Sequence, residues 1–69
     1  MLNYNYPLKE GMVLICMLPN YERHVYRGDK GIIEIITAKN IFISFNNNAM
    51  FQRWSLDEVN LYLEPFSFN

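Results

Sequence analysis

The apolar residues of this chain arrive in short runs, rich in β-branched types and separated by turn formers, and that rhythm restricts what it can fold into. "GMVLICML" (11–18) opens at Gly11 and closes at Pro19-Asn20, where proline removes the donor that a strand ladder needs. "KGIIEIIT" (30–37) is dominated by isoleucine, which suits a pleated surface. The short polar "AKN" (38–40) leads at once into "IFISF" (41–45), the pattern of a tight hairpin. In that third run Ile41, Ile43 and Phe45 fall on one face, with Phe42 and Ser44 on the other.

"NNN" (46–48) is a further turn, because asparagine tolerates left-handed backbone. "AMFQRW" (49–54) alternates as a fourth strand does, and "NLYLE" (60–64) gives a short fifth ending at Pro65. Between them Ser55 precedes Glu58 by three residues, the capping-box spacing, with no long periodic segment behind it. A single helical turn over 55–59 is the expectation. The predicted fold is therefore all-β: a five-stranded SH3-like barrel with one short helical turn before the last strand and a long first loop over 19–29. A small open sheet or an OB-like barrel are the competing arrangements, but an OB barrel usually needs more residues and a helix between its third and fourth strands.

A 69-residue chain makes one domain, read here as a barrel over about 9–64 with aromatic tails at 1–8 and 65–69. So small a domain buries only ~60% of its unfolded surface. A hydrophobic content of 51% and an aromatic content of 16% offset that, and argue against disorder. Cys16 is the single cysteine, so an intrachain disulfide is excluded, and no Cys/His pair has metal-ligand spacing. No cofactor is expected. The amino-terminal "MLNYNYPLKEGM" lacks the pattern of a signal peptide, and "MVLICML" is too short to span a bilayer. A cytoplasmic location without membrane insertion is the expectation.

Catalysis requires a nucleophile with its base, converging carboxylates or a metal cluster, and the sequence offers none of these. His24 is the only imidazole, Cys16 sits inside an apolar run, and adjacent Asp57 and Glu58 diverge on a helical turn. "Arg27-Gly28-Asp29" matches the integrin-binding tripeptide, but without a secretion signal it is read as an ordinary turn. The segment that gathers charge, aromatics and the histidine is "YERHVYRGDKG" (21–31). Tyr21, Arg23, His24, Tyr26 and Arg27 would line the groove beside the first loop, with Arg53 and Trp54 approaching from the fourth strand. Aromatic rings and arginine are the residue types that protein interfaces favour. The plainer reading makes 19–29 a connector, with Tyr21 and Val25 folded back, the arginines solvated and His24 without a duty. Trp54 likewise reads as a core plug or a platform, with partial burial favoured. Tyr4, Tyr6, Phe66 and Phe68 in the tails either cover the barrel ends or serve partner contact and self-association.

Gly11-x-Val13-x-Ile15, "PNYERHVYRGDKGII", "IFISF" and "RWSLDEVNLYL" together resemble the small SH3-like electron-transport accessory proteins. That group includes the E subunit of the photosystem I reaction centre, the S subunit of the photosynthetic NDH complex and the variable chain of ferredoxin–thioredoxin reductase. Small phage-encoded SH3-like barrels share a similar frame. The likeness runs over about 9–63 and is strongest at "WSLDEV" (54–59); "IIEIIT" and "NNNAMFQ" depart from the pattern of the photosystem I protein. The resemblance implies a protein that is not a catalyst, docks on a large complex and, in the photosynthetic case, works in the plastid stroma.

Three functions follow as expectations. The first is an accessory subunit or adaptor docking on a larger protein complex through the 19–29 loop and the tails. The second is a phage or mobile-element protein that binds and inhibits a host factor. The third is a Tudor- or KOW-like barrel on nucleic acid, with Arg23, Arg27, Lys30, Lys39 and Arg53 against phosphate. A net charge of −1 weighs against the third.

Overall fold

The structure is a computed structural model that describes residues 7–46 and 50–66. Its strands are β1 (Val13–Cys16), β2 (Lys30–Ile36), β3 (Asn40–Phe45), β4 (Gln52–Ser55) and β5 (Leu63–Pro65), with one helix, α1 (Leu56–Tyr62), before the last. All pairings are antiparallel, in the order β4-β3-β2-β1-β5, and the sheet curls into a half-barrel. This is the all-β, barrel-like architecture expected from the sequence.

Alternation along the strands decides what is inside. In β3, Ile41, Ile43 and Phe45 are buried while Asn40, Phe42 and Ser44 are only half-buried. Leu14 and Cys16 of β1, Ile33 of β2, Trp54 of β4 and Leu63 of β5 complete the wall of the core. Val59 of α1 and Val25 of the first loop close it, and Leu8, Met12, Ile36, Leu56 and Tyr62 pack around its margin. Gly31 of β2 pairs with Phe45 of β3 and sits under the side chains of Ile43 and Phe45. A Cβ there would lie 2.6 Å from Ile43 Cγ2 and 2.7 Å from the Phe45 ring, so only glycine fits.

Three local features differ from the sequence expectations. The helical turn expected over 55–59 is a two-turn helix reaching Tyr62, and the fifth strand starts at Leu63 instead of Asn60. The capping box does form: Ser55 Oγ accepts from Glu58 N and Glu58 Oε1 from Ser55 N. The helix then continues through "NLY" despite its strand-like composition, and closes where Leu63 N–H donates to Val59 O. Pro65 lies in β5 opposite Leu14 rather than in a tail, which is tolerable because β5 is an edge strand. The third difference is a register shift between Ile33 and Ile35 of β2, a bulge that gives both Glu34 and Ile35 to the outer face opposite Phe42. The tail aromatics Tyr4, Tyr6 and Phe68 lie outside the described residues. Phe66 is half-exposed, with the Lys30 ammonium 4.1 Å from its ring centroid.

Candidate functional site

The first loop is a small structure in its own right. At its neck, Gly28 N–H donates to Cys16 O (2.9 Å) and Cys16 N–H to Asp29 O (2.8 Å). Further out, Asn20 and Val25 form an antiparallel bridge, and Val25 drops its side chain into the core as an anchor. Between them Tyr21–Arg23 make one 3₁₀ turn. Its cap is Asn20, whose side-chain oxygen accepts from Arg23 N (3.3 Å), as asparagine is suited to do. His24 ends the turn at φ 57°, a left-handed position that histidine enters more readily than most residues. The return is a turn over 26–29 with Gly28 at φ 92° and the Asp29 carboxylate accepting from Tyr26 N–H (2.8 Å).

The loop is then clamped to the barrel. Arg23 donates from Nη2 to both carboxylate oxygens of Glu58 (2.9 and 2.8 Å) and from Nε to Oε2 (3.2 Å). Its guanidinium lies 4.5 Å from the Trp54 ring centroid. Trp54 Nε1–H donates to Gln52 Oε1 (3.0 Å), and Gln52 Nε2–H donates to the carbonyl of Arg23 (2.8 Å). One arginine thus ties the 3₁₀ turn to α1 through its side chain and to β4 through its carbonyl. Burial works to raise the Glu58 pKa, but the hydrogen bonds from Ser55 and the charge and hydrogen bonds of Arg23 outweigh it and hold the carboxyl below its ordinary value.

These contacts sort the residues singled out from sequence. Tyr21, His24, Tyr26 and Arg27 are exposed on the outside of the loop, with the Tyr21 and Tyr26 rings 5.8 Å apart and tilted. Arg23 is half-buried, with Nε and Nη2 engaged by Glu58 and the guanidinium over Trp54, so it is a clamp and not a free contact residue. Arg53 is exposed on the outer face of the sheet, opposite Phe42 and away from the loop. Trp54 is fully buried, between Phe45 (centroids 5.5 Å) and Tyr62 (6.1 Å), so the tryptophan expected to be partly accessible is a core residue and no platform. Of the plainer reading, Val25 does fold back, while Tyr21 stays 71% exposed.

Sequence reasoning did not single out Gln52 or the part Glu58 plays beyond its cap. It also passed over Met17, Leu18 and Leu61, which are exposed beside the loop. Met17 and Leu18 both donate their N–H to Tyr62 O, which sets them next to the end of α1 that carries Leu61. The signal available was their apolar character, at two positions just past the end of β1 and at one in the last turn of α1.

Chemically the region offers contact surface. Cys16 is buried and its thiol donates to Leu18 O (2.9 Å); burial, with the nearby Asp29 charge, pushes its pKa up, away from nucleophilic thiolate. The Asp29 carboxylate of the Arg-Gly-Asp sequence is held by the loop's own backbone. Among the described residues no group of three or more His, Cys, Asp or Glu is placed to hold a metal ion, and no helix is long and apolar enough to cross a membrane. Comparisons with protein-family models, with curated proteins and with solved structures return no match.

Proposed function

We propose that the protein is a non-enzymatic interaction module that docks on a larger protein assembly as an accessory subunit or adaptor. The observation that carries this reading is the pair of exposed tyrosines, Tyr21 and Tyr26, displayed on a loop pinned at both of its halves. A loop held before binding loses little conformational entropy on docking, which is what lets a small surface bind with useful affinity. His24 and Arg27 add polar and cationic groups at the rim, and Met17, Leu18 and Leu61 extend the apolar area beside it. The resemblance to electron-transport accessory proteins supports docking over catalysis, and the inhibitor of a host factor differs only in whose complex is bound.

The nucleic-acid alternative is weakened by where the cations are. Arg23 is neutralised by Glu58, Lys30 rests on Phe66 and Arg53 lies on the outer sheet face, so the basic residues do not form one stripe. The test is affinity capture from the source lysate with and without nuclease, using wild type and the Tyr21→Ala/Tyr26→Ala variant. Both rings are exposed, so the variant is expected to fold as wild type does. The reading expects a nuclease-resistant stoichiometric partner set that the double variant loses. A set that disappears with nuclease, or that the folded variant retains, overturns it.

A further inference from the structure

An antiparallel sheet with one face on the core usually turns polar residues outward, and β2–β4 do so only in part: Glu34, Ser44 and Arg53 share that face with large apolar side chains. On their outer face Ile32, Ile35 and Phe51 are exposed, at 44%, 44% and 50%, and Phe42 is half-buried among them. The registers place these side chains together: Ile35 opposite Phe42, Phe42 opposite Arg53, Ile32 opposite Ser44. This surface lies on the other side of the sheet from the core and does not include the tyrosine loop.

We infer that this face is a homodimer interface, occupied by the same face of a second copy. The argument is charge complementarity built on the bulge in β2. Because the extra residue gives Glu34 as well as Ile35 to the outer face, Glu34 on β2 and Arg53 on β4 flank Phe42 of β3 from opposite sides at the same level. Neighbouring strands lie about 4.8 Å apart, so the two charges are separated by about twice that distance and face outward instead of pairing with each other. Neither side chain has an ion pair or hydrogen bond among the described residues.

A two-fold axis running along β3 over Phe42 exchanges the β2 side with the β4 side. It sets Arg53 of each copy against Glu34 of the other, Phe42 against its own mate, and the Ile32 edge against the Phe51 edge. Such an isologous contact pairs all four charges in two reciprocal ion pairs while removing the apolar residues from water. Strands related by this axis pack nearly aligned, as stacked sheets do. The curl of the sheet carries β1 and β5 away from the contact, so the interface is limited to three strands. It is therefore smaller than the ~800 Å² per partner of a standard complex, and dimerisation is expected to be weak and concentration-dependent.

Sedimentation velocity of the full chain from micromolar to near-millimolar concentration tests this. The expected result is a mass rising from 8.3 kDa toward twice that value. Phe42→Glu should abolish the rise. Arg53→Glu and Glu34→Arg should each weaken it about tenfold, and the double charge swap should restore it, since both reciprocal pairs are then reversed together. Glu34 and Arg53 are exposed, so these charge variants report even if Phe42→Glu fails to fold. A wild-type chain that stays monomeric throughout overturns the inference and leaves the face for a different protein. A dimer that ignores the single charge reversals, or that the double swap does not rescue, overturns it as well.

Discussion

Replacing Arg23 by alanine is the most informative perturbation of the loop, because it removes a clamp and leaves every exposed contact residue in place. Its magnitude follows from three contributions. The pair with Glu58 has side chains 24% and 36% exposed, so solvent screens it and about 1 kcal/mol is appropriate despite the short distances. The stack on Trp54 adds about 0.5–1 kcal/mol. Uncovering the tryptophan face loses the packing of the arginine stem, on the order of another 0.5 kcal/mol. The sum is about 2 kcal/mol, which for a domain of this size lowers Tm by roughly 8–16 °C. Thermal and urea denaturation followed by circular dichroism read it directly. A double-mutant cycle with Glu58→Gln, which keeps an acceptor for the cap but drops the charge, should show a coupling near 1 kcal/mol. Sequence alone predicts that removing Arg23 together with Tyr26 spares folding while losing partner binding; the geometry reverses the first half of that expectation. A loss below about 0.5 kcal/mol, or a coupling near zero, would refute the clamp.

Two further outcomes are expected. Gly31→Ala places a methyl within van der Waals overlap of Ile43 and Phe45, both in the packed core, and should cost about 1–3 kcal/mol in denaturant titrations, where a neutral effect would mean that β2 and β3 separate easily. Glu58 has a folded-state pKa below its unfolded one, so it contributes stability that is complete above the ordinary value of 4.5 and is lost as pH falls through the lowered folded value. Stability measured from neutral pH into that acid window should decline more steeply for wild type than for Glu58→Gln, and parallel curves would show that Glu58 gains nothing from Arg23 and Ser55.

The fold was legible where local chemistry and burial agree. Proline after β1, Asn46 after β3 and the strict alternation of "IFISF" each dictate an element, and the structure keeps them. The sequence misled where a side chain's partner lies far along the chain. Arg23 and Glu58 are 35 residues apart, and nothing local distinguishes a clamping arginine from a solvated one. Trp54 was ambiguous because a strand-end tryptophan is buried or exposed according to what crosses its face, and the crossing group is that same arginine. The β2 bulge was hidden for a different reason: "IIEII" fits simple alternation in either register, and only pairing with β3 shows which residue is extra.

These observations bear on why the tyrosine loop is a stronger candidate than its composition makes it. Charge and aromatics in a connector are common, and on their own they describe a solvated surface. On the proposed reading the loop is more than a connector, because its one half-buried arginine, its buried Val25 and the Gln52 bridge all act inward, on the barrel, while Tyr21, His24, Tyr26 and Arg27 are left outward. A connector requires only the first set. Loosening the clamp with Arg23→Ala should therefore weaken partner capture less than the double tyrosine variant does, since the rings remain while their order is lost. If the two variants cost the same affinity while Tyr21→Ala/Tyr26→Ala leaves stability unchanged, the contribution lies in the loop's shape and not in the rings themselves.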